Sequence, residues 1–183
     1  MGTPQRLIEA TAQLLATEGP DVSVRAVCDA VGVTAPTIYR YFGDRRGLLD
    51  ATIKDAFDRY LTSKRARQPT GDVIEDIRRG WDLHLEFGMR NPVLHELMFP
   101  NLDVENTYPA ARTGYVMLRD AFERARREKK LNPRFTPDSA SRALWAALFG
   151  VTRLLAEDPR QAKVINAAVR DAVIDALTNS PTN

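Results

Sequence analysis

The sequence predicts an all-α protein of about nine helices, and three observations carry that prediction. Period-2 alternation of apolar and polar residues is absent and β-branched runs are short, so nothing reads as a strand. Helical spacing recurs instead, beginning with Leu7, Ile8, Thr11, Leu14 and Leu15 on one face of a first helix. Glycine, proline and short polar residues punctuate the chain where helices would start and stop. At 183 residues and 44% hydrophobic content, a sizeable core is within reach.

Each element follows from its local residues. The first helix stops near Gly19-Pro20, and Ser23 can cap a second in which Val24, Val27, Cys28 and Val31 share a face. Gly32 ends that helix, because glycine accepts the left-handed conformation a helix stop often needs. Thr34 then caps a third helix with Pro36 in its first turn, where proline is tolerated. Gly43 stops it after about two turns, and Asp44 can cap a fourth helix, placed over 44–66. The polar stretch Ser63–Gly71, with Pro69, reads as a hinge. Longer amphipathic segments follow at Val73–Arg90, after Asn91-Pro92, and at Gly114–Lys130, Asp138–Asp158 and Arg160–Thr178. Pro100–Pro109 reads as an acidic, turn-rich loop.

Bulk properties narrow the function less than local ones. No apolar run approaches the roughly 18 residues that a membrane span needs, so no membrane partner is expected. The opening MGTPQRLIEA reads as the start of an amphipathic helix rather than an export signal. The single cysteine, Cys28, excludes an internal disulfide and fits a reducing cytoplasm, the expected location. Net charge is +2, and residues 1–47 carry five arginines against five acids, so any nucleic-acid argument must rest on where charge is placed.

That placement is concentrated in "TAPTIYRYFGDRRGLL" (Thr34–Leu49). Ser23–Val31, then Gly32-Val33, then Thr34–Tyr41 fits a helix-turn-helix. A two-turn helix suits a major groove, and its first residues face base edges. Helix starts at Ser23, Thr34 and Asp44-Arg45 favour phosphates. Thr37, Tyr39 and Tyr41 offer hydroxyls, and Arg40 and Arg45 offer charge, while Ile38 and Phe42 can anchor the opposite face. The same spacing also fits an ordinary helical hairpin with solvated side chains.

With "RLIEATAQLLATEGPDVSV" (Arg6–Val24) and "SVRAVCDAVGV" (Ser23–Val33) before it, this segment resembles the tetracycline-repressor (TetR) family of bacterial transcriptional regulators. The resemblance covers about the first 50 residues and implies a three-helix DNA-binding domain over 1–49. Helix four (44–66) would connect it to a ligand-binding and dimerisation domain over 50–183. By position, Thr34, Ala35 and Thr37 would begin the recognition helix, and Tyr39 and Tyr41 would touch the DNA backbone. Arg45 would occupy a phosphate-binding position at the start of helix four, and Ser23 and Arg25 another at the start of the second helix. Ala35 departs from the basic or polar residue the family often has there, leaving at most a thymine-methyl contact. The short N-terminal extension makes a minor-groove arm unexpected, and Cys28 reads as a packing residue.

In the second half, "GWDLHLEFGMRNPVLHELMF" (Gly80–Phe99) is similar to one subgroup of that family without identifying a ligand. Trp81, His84, Phe87, Met98, Phe99, Tyr115, Trp145 and Phe149 are candidate lining of an apolar ligand pocket, although taken one by one each reads more readily as filling of a core. Gly88 beside Phe87 is read as favouring a cavity. The two histidines, His84 and His95, lack a third ligand at metal spacing, so neither a metal nor another cofactor is expected. Ala143, Ala147, Gly150 and Leu154, with Ile165, Val169, Ala172, Val173 and Ala176, form the candidate surface of a homodimer.

The expectation is a homodimeric repressor, released from a palindromic double-stranded operator by a largely apolar small molecule. No Ser/His/Asp grouping, Gly-rich phosphate loop or metal cluster supports an enzyme. A helical enzyme or carrier with a vestigial motif is the alternative. A further one is a DNA-binding protein answering to a protein partner on the Pro100–Pro109 loop.

Overall fold

The structure is a computed structural model and describes residues 2–66, 68–98 and 109–178. Among those residues it holds nine helices and no strand. They are α1 (Thr3–Glu18), α2 (Val24–Val31), α3 (Ala35–Phe42), α4 (Arg45–Ala66), α5 (Val73–Arg90), α6 (Pro92–Met98), α7 (Pro109–Arg127), α8 (Pro137–Glu157) and α9 (Pro159–Thr178).

Short polar side chains start several of these helices by satisfying backbone N–H groups that have no partner in the first turn. Ser23 Oγ accepts from Ala26 N at 3.1 Å, Asp44 Oδ1 from Gly47 N at 2.7 Å and Asp72 Oδ1 from Ile74 N at 3.1 Å. At α8, Thr136 and Ser139 cap each other reciprocally. Gly32 closes α2 in the left-handed region, at φ 74°, where its N–H and that of Val33 both donate to Cys28 O.

The expected hinge at Ser63–Gly71 is half helix. No glycine or proline lies between Leu48 and Gln68, so α4 runs on to Ala66, and the described part of its connection to α5 is 68–72. Similarly, α7 begins at Pro109, a residue suited to a first helical turn, so Gly114 lies inside the helix against Phe57. Asn91 ends α5, its N–H donating to Phe87 O at 3.0 Å, and Pro92 opens α6 in a new direction.

One continuous core joins the first helices to the later ones. Leu7, Leu15, Val27 and Ile38 pack with Phe57, Phe87, Met98 and Trp145, so α4 belongs as much to the first three helices as to α5 and α8. A second cluster, around Ile77, Trp81, Phe122, Leu144 and Ile174, unites α5, α7, α8 and α9. Full burial of such side chains is worth about 1.5–3 kcal/mol each. Polar contacts fix α9 on α5: Trp81 Nε1 donates to Asn166 Oδ1 at 2.7 Å, and Arg170 pairs with Asp82 at 2.8 Å.

Candidate functional site

The α2–Gly32–α3 unit presents two unlike faces. Ile38 is fully buried and Phe42 half-buried against the core, which fixes the roll of α3. On the other side Tyr39 is 51% exposed and Tyr41 43%, unusual values for large aromatics that could have packed. Thr34 and Arg40 are exposed and Thr37 is half-buried. Arg40 leans on Tyr41, its Cζ 4.8 Å from the ring centroid and Nη2 3.2 Å from the hydroxyl, so the cation is held at the surface by a ring rather than by a carboxylate among the described residues. Ser23 and Arg25 are exposed at the start of α2, where the pair Arg25–Asp29 is long at 3.9 Å.

Two expected contact residues have structural work of their own. Ala35 is half-buried and packs against the core. Arg45 donates from Nε to Val22 O and from Nη2 to Pro20 O, both at 2.9 Å, and so ties the start of α4 to the α1–α2 connection. Thr34 occupies the capping position of α3 but its side chain makes no capping hydrogen bond. Sequence reasoning passed over Gly47: a β-carbon there would collide with Phe42 O, so only glycine lets α4 leave α3 this tightly. Cys28 is buried, and burial followed by the neighbouring Asp29 pushes its thiol up from 9.0.

The aromatic residues of the second half come together, mostly as packed core. Phe57, Tyr60 and Phe87 stack with centroids 5.1–6.2 Å apart. Tyr60 meets His84 edge-on at 6.0 Å, His84 meets Trp145 at 5.5 Å, and Trp145 meets Tyr115 at 5.8 Å. Tyr115 OH donates to Asp138 at 3.3 Å. Phe149 lies half-buried beside His95, and Met98 is fully buried. Of the candidate pocket residues, Trp81, His84 and Trp145 line an interior cavity of about 60 Å³, whereas Phe87 lines an outer groove between α1, α4, α5 and α6. Phe99 and residues 100–108 of the expected acidic loop lie outside the described residues. Gly88 does not mark a void: a β-carbon there would meet Thr152 Cγ2, so it is a close crossing of α5 and α8.

Sequence spacing did not bring His84 and His95 together, but the break at Asn91-Pro92 does. Their Nε2 atoms are 3.1 Å apart, so one ring donates and the other accepts. Burial lowers His84 well below 6.5, aided by His95 and Lys64, and lowers His95 to about 4. Both are therefore neutral near pH 7. No third His, Cys, Asp or Glu joins them in a metal-binding group among the described residues. Two other cavity residues also escaped notice, Tyr60 and Lys64, although the spacing Phe57–Tyr60–Lys64 places all three on one face of α4.

On α8 and α9 the candidate dimer residues divide. Ala143, Gly150, Ala172 and Ala176 are exposed, whereas Ala147, Leu154, Ile165, Val169 and Val173 are half-buried, with Ala147, Val169 and Val173 against the second core cluster. Val164, on the same helix, is 79% exposed.

Residues 7–52 match the model of a family described as bacterial regulatory proteins, tetR family. No curated protein matches the sequence. Among solved structures, the chain is similar over nearly its whole length to a protein with unknown function from Rhodococcus sp. RHA1, at 20% identity and a TM-score of 0.78, covering 98% of this chain and 97% of that one. It is also similar to a fatty acid degradation regulator from Bacillus halodurans, at 16% identity and a TM-score of 0.78, covering 95% and 96%. A third likeness is to a TetR transcription regulator from Haloarcula marismortui, at 17% identity and a TM-score of 0.74, covering 96% and 98%. Likeness at this level of identity establishes a shared fold.

Proposed function

We propose that this chain, which belongs to the tetR family of bacterial regulatory proteins, is a cytoplasmic homodimeric repressor that a small molecule releases from a palindromic operator. The observation that carries the reading is the outward face of α3. A two-turn helix buries Ile38 completely yet leaves Tyr39 and Tyr41 about half exposed beside Arg40. In this reading residues 1–49 are the DNA-binding domain, α4 connects, and 50–183 bind the effector and dimerise. Thr34, Ala35 and Thr37 meet base edges, and Ser23, Arg25, Tyr39, Arg40, Tyr41 and Arg45 meet the sugar–phosphate backbone. Arg45 contributes while holding the α1–α2 connection, its remaining donors turned to a phosphate.

The exposed small residues of α8 and α9 are the surface on which a second copy packs. Dimerisation would set two copies of α3 about 34–36 Å apart, one helical turn of DNA. The effector enters beside Trp81, His84 and Trp145. At about 60 Å³ the cavity is smaller than a drug-sized ligand requires, so occupancy must part its walls, of which α4 is one. Moving α4 reorients α3, and a coupling of about 1–3 kcal/mol suffices for regulation.

Selection of bound duplexes from a random pool by the purified protein tests this reading. Enrichment of a palindrome with half-sites one helical turn apart is the expected result. A pool that stays random, with and without metabolite extract, removes it.

A further inference from the structure

The small cavity between α4, α5, α7 and α8 has a chemical character of its own. Its walls are mostly apolar and aromatic: Phe57, Trp81, Leu144 and Trp145, with the pliant Met117. Into this setting α4 delivers a cation. Lys64 lines the cavity, and its Nζ lies over Gly80, 3.9 Å from where a β-carbon would stand. No carboxylate pairs with it among the described residues. Burial lowers its pKa from 10.5, which reports the same lack of compensation. The carboxylate that shares the cavity, Asp76, already holds Arg124 at 3.0 Å and the Thr70 hydroxyl at 2.8 Å.

A partly buried ammonium among aromatic rings is unfavourable until an anion meets it. We propose that this cavity takes a small amphipathic monoanion, its oxyanion end held by Lys64 and its apolar body lying between Trp81, Trp145 and Phe57. The inference rests on reading the cavity as the effector site and adds the class of effector. One ammonium sets one charge. His84, neutral in its pair with His95, presents a ring to the ligand rather than a second cation. A neutral ligand of the same shape leaves Lys64 unpaired, and an amine adds a like charge beside it. The ligand could carry an aliphatic or an aromatic body, since the lining accepts both.

Trp81 and Trp145 are the chain's two tryptophans and both line the cavity, so intrinsic fluorescence reports its occupancy. Hexanoate and benzoate are the probes, titrated against hexanol, benzyl alcohol and hexylamine. Both acids are expected to give saturable changes at least about ten-fold tighter than the matched alcohols, the range a charge-assisted contact supplies. Hexylamine is expected to give none. Lys64→Met should bring acid and alcohol within about two-fold of each other, and Lys64→Arg should keep part of the preference. Because Lys64→Met removes a cation that no described carboxylate pairs, its thermal midpoint should equal or exceed that of the wild type. Alcohols that bind as tightly as acids, an acid preference that survives Lys64→Met, or no saturable response to either acid would each overturn the assignment. None of these titrations contains DNA. Acids that bind through Lys64 without releasing the operator leave the site standing and remove the effector reading, and operator release by the alcohols alone does the reverse.

Discussion

Tyr39 and Tyr41 on α3 are 51% and 43% exposed, whereas Tyr60 on α4 and Tyr115 on α7 are each 6% exposed. The residue type is the same and the burial opposite, which separates two jobs. In the first three helices, Leu7, Leu15, Val27 and Ile38 already fill the core, and Tyr39 and Tyr41 are left facing outward. In the later helices tyrosine is itself core, stacked on Phe57, His84, Phe87 and Trp145. An exposed aromatic face on a well-packed helix therefore says more about function than a buried cluster of the same composition.

Phe57 joins the two regions, so its loss should have the largest effect on both. It is 1% exposed and touches the rings of Tyr60 and Phe87. Phe57→Ala should destabilise the protein by about 3–5 kcal/mol, with both halves melting together. Circular dichroism and tryptophan fluorescence, followed in the same denaturant titration, should give coincident transitions. Separate transitions would mean that the core is not shared.

Acid should sharpen the contrast, because both histidines lie in the later region. Their native pKa values are depressed, to about 4 for His95 against 6.5. As pH falls below about 6.5 the unfolded chain takes up these protons first. Stability is therefore full above that pH and is lost as pH falls toward 4. From about pH 7 to pH 5, His95 alone should remove about 2 kcal/mol, with His84 adding in the same direction. Denaturant midpoints across this range measure it, and His95→Gln should flatten the profile. A smaller effect is expected at the start of α2, where Ser23→Ala removes the cap on Ala26 N and should cost about 1 kcal/mol. A thermal melt of that variant should show no greater loss.

Much of the N-terminal architecture was legible because it is written locally. Ser23, Gly32, Gly43 and Asp44 bound their helices as their chemistry requires, and Ile38 at the centre of α3 marks its buried side. What escaped depends on distant partners. Gly88 reads as favouring a cavity until Thr152, remote in the chain, packs against it. Arg45 reads as a free cation until Pro20 and Val22 fold beneath it. His84 and His95 meet only through the direction the chain takes at Pro92, and Lys64, in the last turns of the helix expected over 44–66, reads as solvated until α5 packs beside it. The i, i+3, i+7 spacing of Phe57, Tyr60 and Lys64 is the local signal that puts Lys64 on the face those rings share.

If the outward face of α3 binds DNA, Tyr39 is the residue whose loss should show it. Its ring is half exposed, so Tyr39→Ala should change stability by no more than about 0.5 kcal/mol. Affinity for the selected duplex at near-physiological salt should meanwhile fall about ten-fold or more. The two quantities are measured on the same preparation, by thermal melt and by titration of labelled duplex. An unchanged melt with a ten-fold weaker complex is the predicted result. Wild-type affinity in the variant would mean that this face of α3 does not bind DNA.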